Sequence, residues 1–424
     1  MRKLRKVFAL LLCTLIFTSI LSAFTGCSDG RTQIKIAYWI NNANERTNNQ
    51  YIFTAFEKAF PQYRVTPVAV SYDAYGDEIP RLYAGNTLPD LLWIREEYLP
   101  IFANKGIIDP IDSYLENDAE FDRTRYFENA LEFSTYKEKI YGLPRDIGCQ
   151  VMAFNLDIMG DTPLPNSDWT WDDMVTLAES KTVKSGDTIT QYGFGWTDWL
   201  ALVHSNGGRL FSNDGQTALL NDEKVVKALQ FYSDLPNVLK IYPTAEASMG
   251  IGNPFTGKKA AFAVVGPWDF AKLKKAKINF DIRPFPKGPD GEGRLRLSGL
   301  TIGINSKSTK KEAAYQLLKY LSYSDEAQTL QAQYSIAMPS IKSIAQSDIY
   351  SKSQFAPPSM DIYFDALAST DIISHFEGEI PALGVLDDYI YQIFHKIDGQ
   401  IKKVEDIKNE MNASVQEVLD EYKK

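Results

Sequence analysis

A chain of 424 residues exceeds the size at which one hydrophobic core stops growing, so two compact units are expected. Its 44% apolar and 23% charged residues are an ordinary globular balance, and 54 acidic against 45 basic side chains give a formal charge of −9. That sign argues against nucleic acid and against polyanionic ligands, which need a basic footprint.

At the N-terminus, Arg2, Lys3, Arg5 and Lys6 precede an uncharged, largely apolar run from Val7 to Leu21. This is the layout of an export signal; as a membrane span the run is short against the ~20 residues a bilayer core needs. It ends in Ser22-Ala23-Phe24-Thr25-Gly26-Cys27. That stretch resembles the lipobox of bacterial lipoproteins, with Phe24 where Leu is usual, and implies cleavage after residue 26 and a lipid on Cys27. Loss of residues 1–26 removes four basic and no acidic side chains, taking the formal charge to −13. Cys13 would leave with the signal and Cys27 would carry lipid, so Cys149 has no partner and no disulfide framework is available.

Gln33 to Trp39 alternates as a strand, and Asn48 to Phe60 places Tyr51, Ile52, Ala55, Phe56 and Ala59 on one helical stripe stopped by Pro61. Tyr63 to Val70 predicts a second strand, Asp77 to Gly85 a helix, and Leu88 to Ile94 a third strand. Strands alternating with helices predict a mostly parallel sheet covered on both faces. A second series begins after Tyr141-Gly-Leu-Pro-Arg-Asp146, with a strand at Cys149 to Asn155 and a helix opening at Asp168-Trp-Thr-Trp-Asp-Asp-Met, capped by Thr170. Helices at Trp199 to Asn206 and Asp222 to Leu235 precede strands at 259 to 265, from Phe280, and at Arg294 to Asn305. Lys310 to Ser322 is an amphipathic helix, and the chain beyond about 340 is mostly helical.

Catalytic and metal signatures are sparse. Gly252 to Lys259 approaches a phosphate-binding loop, but Lys259 stands where a hydroxyl should hold magnesium, and the loop leads into a strand. His204, His375 and His395 are scattered singly, with no zinc spacing, and Pro289-Asp-Gly-Glu-Gly293 reads as a turn, not a calcium loop. No metal and no cofactor are expected. Paired carboxylates need no fixed spacing, so a secreted glycoside hydrolase using two of Asp146, Asp198 and Asp269 stays open.

The tryptophans point elsewhere. Trp39 ends the first strand, Trp93 lies at the end of the third, and Trp268 follows the strand at 259 to 265, which Gly266-Pro267 halts. Ligands of α/β sheets bind beyond the strands' C-terminal ends. Aromatic faces there, mixed with Asn41, Asn42, Asn44, Arg95, Glu96, Asp198 and Asp269, suit a sugar, whose C–H face packs on a ring while its hydroxyls meet amides and carboxylates. Trp169 and Trp171, at a helix start, read as core, and Arg145 with Asp146 reads equally as a surface ion pair or as ligand contacts.

In order along the chain, Tyr38-Trp-Ile-Asn-Asn42, Phe56-Glu-Lys-Ala-Phe-Pro61, Ala84-Gly-Asn-Thr-Leu-Pro-Asp90, Tyr141-Gly-Leu-Pro144, Phe154-Asn-Leu-Asp157, Thr170-Trp171, Gly257-Lys-Lys-Ala-Ala261, Gly266-Pro-Trp268 and Leu297-Ser-Gly-Leu300 stand out. From about residue 33 onward the chain resembles the extracellular solute-binding proteins of ABC transporters, in particular the class that includes maltose-binding protein. The resemblance implies a two-lobe α/β, periplasmic-binding-protein-like (type II) fold with an interlobe ligand cleft and crossing hinge segments. Lobe one would be 32–146 plus 302–342, and lobe two 147–301 plus 343–424. Ligand positions carry over to Asn42 and Asn44, to Trp93 with Arg95 and Glu96, to Trp196-Thr-Asp-Trp199, and to Trp268; Asp146 would substitute for a family carboxylate falling near Gly148. A C-terminal aromatic stacker of maltose binders has no counterpart around Leu383 to Leu386. The implied protein is a monomer tethered through Cys27 to the outer face of a bacterial cell membrane. It would capture a carbohydrate, most plainly an oligosaccharide, deliver it to ABC permease transmembrane subunits, and break no bond. Binding of a peptide or polyamine is the other open reading and would need a more acidic cleft with fewer stacking residues.

Overall fold

The computed structural model describes residues 30–40, 43–334, 337–370, 375–397 and 399–423. The signal segment 1–26, Cys27, Asn41 and Asn42 lie outside the described residues, as does the side chain of Asn44. In chain order the strands are β1 (Thr32–Ile40), β2 (Tyr63–Ser71), β3 (Leu91–Arg95), β4 (Ile108–Asp109), β5 (Thr135–Tyr136), β6 (Lys139–Ile140), β7 (Gly142–Gly148), β8 (Val151–Asn155), β9 (Val183–Ser185), β10 (Thr188–Phe194), β11 (Ala260–Val265), β12 (Phe280–Arg283) and β13 (Ser298–Asn305). They build two larger sheets, β2–β1–β3–β13–β4 with β7 also paired to β13, and β12–β8–β11–β10–β9.

Both sheets are mixed, which corrects the expectation of a mostly parallel arrangement. In the first, β1 runs parallel to β2 and β3, whereas β13 is antiparallel to β3, β4 and β7. In the second only β10 and β11 are parallel. The reversal follows from the chain path. The chain leaves the first sheet along β7, builds the second, and returns along β13, which inserts beside β3 in the opposite direction.

Local sequence accounts for the strands. In β1 the side chains of Ile34, Ile36 and Tyr38 are buried while Lys35 between them is exposed. Pro67 is tolerated in β2 because that strand is at the sheet edge. All six residues of β11 are buried, as both faces are covered. Phe262 and Val264 join Met152, Phe154 and Trp169 in one core, and Ala263 and Val265 join Val151, Ala153 and Phe270 in the other.

The two crossing strands pair directly, from Ser298 opposite Gly148 to Gly303 opposite Gly142. Gly142 permits this approach, since a Cβ there would lie 2.1 Å from the Ile302 carbonyl oxygen. A third passage runs alongside: Ile147 N donates to Met338 O (3.3 Å), and Asp146 bridges to Pro339. Gln328, fully buried, fastens it, donating to Arg145 O (2.9 Å) and accepting from Ser340 N (2.9 Å). The expected lobe boundaries at 146 and 302 fall inside β7 and β13.

Thr170 caps the helix Trp171–Lys181, accepting from Asp173 N (3.3 Å), while the Asp173 carboxylate accepts from Thr170 N (2.9 Å). Trp169 and Trp171 are core residues, with indole N–H groups on Pro284 O and Ser205 Oγ. The loop before β11 leads into a strand, as expected. A helix at Pro267–Lys275 was not anticipated. Gly266-Pro267 ends the strand, but Pro at the first helical position also starts a helix.

Candidate functional site

The C-terminal ends of β1, β2 and β3 face the start of the helix Pro267–Lys275 across a cleft of about 950 Å³, spanned by the crossing strands. That lies at the upper end of the ~300–1,000 Å³ common for small-molecule sites. Trp39, Trp93, Arg95, Glu96, Arg145, Asp146, Asp198, Trp268 and Asp269 line it together. Among the described residues that line it, neither Trp196 nor Trp199 appears. Trp196 is exposed, and Trp199 packs against the second core, leaving Asp198 between them at the cleft.

The wall from the first sheet is an aromatic cluster. Trp39 stands edge-on to Trp93 (5.1 Å between centroids), Tyr75 (5.2 Å) and Tyr72 (5.9 Å). Trp93 is only 3% exposed and one ring face is covered by the Arg145 guanidinium, 4.5 Å from its centroid. It is therefore a floor under the cleft more than an open platform, and among the described residues its indole N–H has no hydrogen-bond partner.

Arg145 and Asp146 are not a surface ion pair. The arginine is 2% exposed, donates from Nη2 to Asn49 Oδ1 (2.8 Å), and holds Nη1 3.5 Å from Asp146 Oδ2. Burial outweighs their attraction, pulling Arg145 down to about 10 and pushing Asp146 up to about 7. Glu96, also buried, accepts from Ser298 Oγ (2.8 Å) and so ties β3's end to β13. Arg95 is paired with Glu97 and lies over the rings of Tyr72 (4.9 Å) and Tyr98 (5.1 Å).

The opposite wall is built by the Gly266-Pro267-Trp268-Asp269 turn. Asp269 accepts from Gly266 N (3.2 Å) and caps the helix that follows, and burial raises its pKa against that bond. The Trp268 ring folds back over Gly266, where a Cβ would lie 2.2 Å from Cζ2, and keeps 44% of its surface exposed. Asp198 likewise caps the helix Trp199–Ser205, accepting from Leu200 N (3.0 Å).

Sequence reasoning missed several lining residues. Asn48 and Asn49 come from the helix Ala43–Ala59, and Tyr72 follows β2 on the same edge as Trp39, a placement the strand-end rule could have supplied. Lys272 and Lys275 follow Trp268 at helical spacing. Arg296, on the returning segment, is buried among Glu96, Glu97, Asp198 and Glu379, which together outweigh its desolvation and raise its pKa. It also borders a smaller cavity of about 70 Å³ beside His204, whose pKa burial and the Arg296 charge push down to about 3. His375 meets Glu379 at 2.7 Å. Among the described residues no three His, Cys, Asp or Glu side chains gather as a metal site.

Residues 52–357 match the family described as bacterial extracellular solute-binding protein. The chain belongs to that family. Among its relatives is the arabinooligosaccharide-binding protein of Bacillus subtilis, 26% identical over 74% of this chain and 76% of that protein. The galactooligosaccharide-binding protein of the same organism is 24% identical over 71% and 72%. Among solved structures, an ABC substrate-binding protein from Listeria monocytogenes in complex with cycloalternan superposes with a TM-score of 0.81 at 19% identity, covering 92% of this chain and 99% of that one. The two-sheet, two-lobe architecture is thus the fold of that substrate-binding protein. A solute-binding protein is not an enzyme, and the three carboxylates from which a hydrolase would draw its pair are engaged otherwise: Asp198 and Asp269 cap helices and Asp146 faces Arg145.

Proposed function

We propose that this solute-binding protein captures an oligosaccharide in the cleft and delivers it to the transmembrane subunits of an ABC permease. The observation that carries the reading is a cleft of about 950 Å³ whose walls set exposed aromatic surface, Trp268 opposite Trp39 and Tyr72, among fixed amide, guanidinium and carboxylate groups. Sugars need that combination of stacking faces and oriented hydrogen-bond partners. The relatives named for arabinooligosaccharides and galactooligosaccharides, and the structure holding cycloalternan, support the same ligand class. Lys272, Lys275 and Arg296 on the cleft oppose a polyamine.

The proposal includes a type II hinge. Residues 32–146 with 302–342 and 147–301 with 343–424 move as two bodies about the β7–β13 pair, and contacts from both walls form together only when the cleft is closed, so ligand shifts the equilibrium toward closure. Trp39, Trp93, Arg95, Glu96, Arg145 and Asp146 contact ligand from one side and Asp198, Trp268 and Asp269 from the other, joined on closure by Asn42, Asn44, Trp196 and Trp199. The protein acts as a monomer, exported and held at the membrane's outer face by lipid on Cys27, without nucleic acid. No helix among the described residues is long and apolar enough to cross a membrane.

A panel of neutral and acidic oligosaccharides, read by tryptophan fluorescence and by product chromatography, tests the reading. Saturable fluorescence change with intact ligand is expected. Absence of binding across the panel, or cleavage of a bound glycan, would overturn it.

A further inference from the structure

The helix Pro267–Lys275 presents Trp268, Ala271, Lys272 and Lys275 to the cleft, the i, i+3, i+4 and i+7 positions of one face. Both lysines are exposed, and among the described residues neither makes an ion pair. Lys275 has only the Phe355 ring, 5.8 Å away. Cations in a last turn suit the negative end of any helix. Lys274 takes that part on the other face, over the Phe280 ring at 4.8 Å and near Asp281.

The cleft's acids, by contrast, are turned toward the protein, with Glu45 acting on Arg145. Glu97 pairs with Arg95, Asp146 with Arg145, Asp198 and Asp269 accept from helix N–H groups, and Glu96 accepts from Ser298 beside Arg296. The charged lining counts six acids and five bases, but only Lys272, which also acts on Asp269, and Lys275 are exposed, so the charge presented to a ligand beside Trp268 is positive. Resting on the oligosaccharide reading above, we infer that the sugar stacked on Trp268 carries an anionic substituent, a carboxylate or a phosphate, held by Lys272 and Lys275. The chain's overall acidity disfavours polyanions, but a single anion beside two cations answers to the local field, since charges beyond a Debye length of ~8 Å are screened.

Matched oligosaccharides test this by calorimetry on the purified protein: one set bearing a single uronate, one bearing a single 6-phosphate, and one with the acid reduced or removed to the neutral alcohol. An acidic member should bind about tenfold tighter than its neutral counterpart at low salt, the scale of two partly exposed ion pairs, and the margin should shrink as salt is raised. Which acid shows the margin distinguishes carboxylate from phosphate. In K272Q/K275Q the margin should vanish with thermal stability unchanged, and K272E/K275E should turn the preference against the acid. Equal or tighter binding of the neutral sugars by the unaltered protein overturns the inference and leaves the oligosaccharide reading standing. Loss of acidic and neutral binding alike in K272Q/K275Q overturns it too, whereas no binding of any member by the unaltered protein defeats both.

Discussion

Trp268 can lie open on the cleft wall because Gly266 leaves room for its ring to turn back over the chain. Trp268→Ala should therefore cost little thermal stability and about 1 to 3 kcal/mol of ligand affinity, the scale of an aromatic-sized contact, as read by calorimetry and a melting curve. Gly266→Ala keeps an acceptable backbone, since φ is −114°, but puts a methyl where the indole now lies. It should weaken binding too, and the double variant should bind no worse than Trp268→Ala, because both remove one interaction. Additive losses would show that Gly266 acts some other way. Arg145 belongs to the interior: Arg145→Met leaves Asp146 and Asn49 without their partner and should lower stability by roughly 3 to 5 kcal/mol in denaturant melts. The exit of Trp268 was legible because Gly-Pro ends a strand by local chemistry alone. The burial of Trp93 was not, since its cover, Arg145, arrives through pairing between strands more than 140 residues apart in sequence.

At the scale of elements, the helix starts on the cleft wall serve fold and site together, because Asp198 and Asp269 fix the helices whose first turns face the ligand. Asp198→Ala should cost about 1 kcal/mol of stability, the usual worth of an N-cap, measurable as a lowered midpoint in urea. Gln328 ties two of the three passages between the lobes, β7 and the segment at 338–341, through one buried amide. Gln328→Leu strands the Ser340 amide, while the Arg145 carbonyl keeps the Gln331 amide, so a loss of about 1 to 3 kcal/mol is expected, together with faster hydrogen exchange in 338–341. Element type and rough position were largely readable, from the Thr170 cap to the 3.6-residue stripe at Lys310 to Ser322. Strand partners were not. Periodicity reports whether a segment is a strand and which face is buried, but carries nothing about direction, so β13's antiparallel insertion escaped notice. The helix after Pro267 was missed for a different reason: one dipeptide both stops a strand and starts a helix, and only the first meaning was used. Lys272 and Lys275 were lost with it.

For the molecule as a whole, two buried groups set opposing responses to acid. Asp146 titrates near 7 in the folded chain against an ordinary 3.8, so folding retains a proton the unfolded chain releases, and stability falls as pH rises across that interval. His204, held down to about 3 from 6.5, refuses a proton that the unfolded chain accepts, so its contribution is lost as pH falls below 6.5. Between 3.8 and 6.5 the two slopes oppose. Asp146→Asn should leave the His204 slope less opposed, with melting temperature climbing more steeply from pH 4 to 6.5 than in the unaltered protein; equal slopes would show that Asp146 does not titrate there. The proposed closure about the β7–β13 pair is a property of the same scale, and directly after β7 comes Cys149, whose thiol burial pushes up to about 12. Beyond residue 27 no other cysteine follows. A thiol placed on the cleft rim would then be the one reactive handle on the folded body, so a single environment-sensitive dye could be attached there without disturbing native sulfur, turning hinge closure into an optical signal.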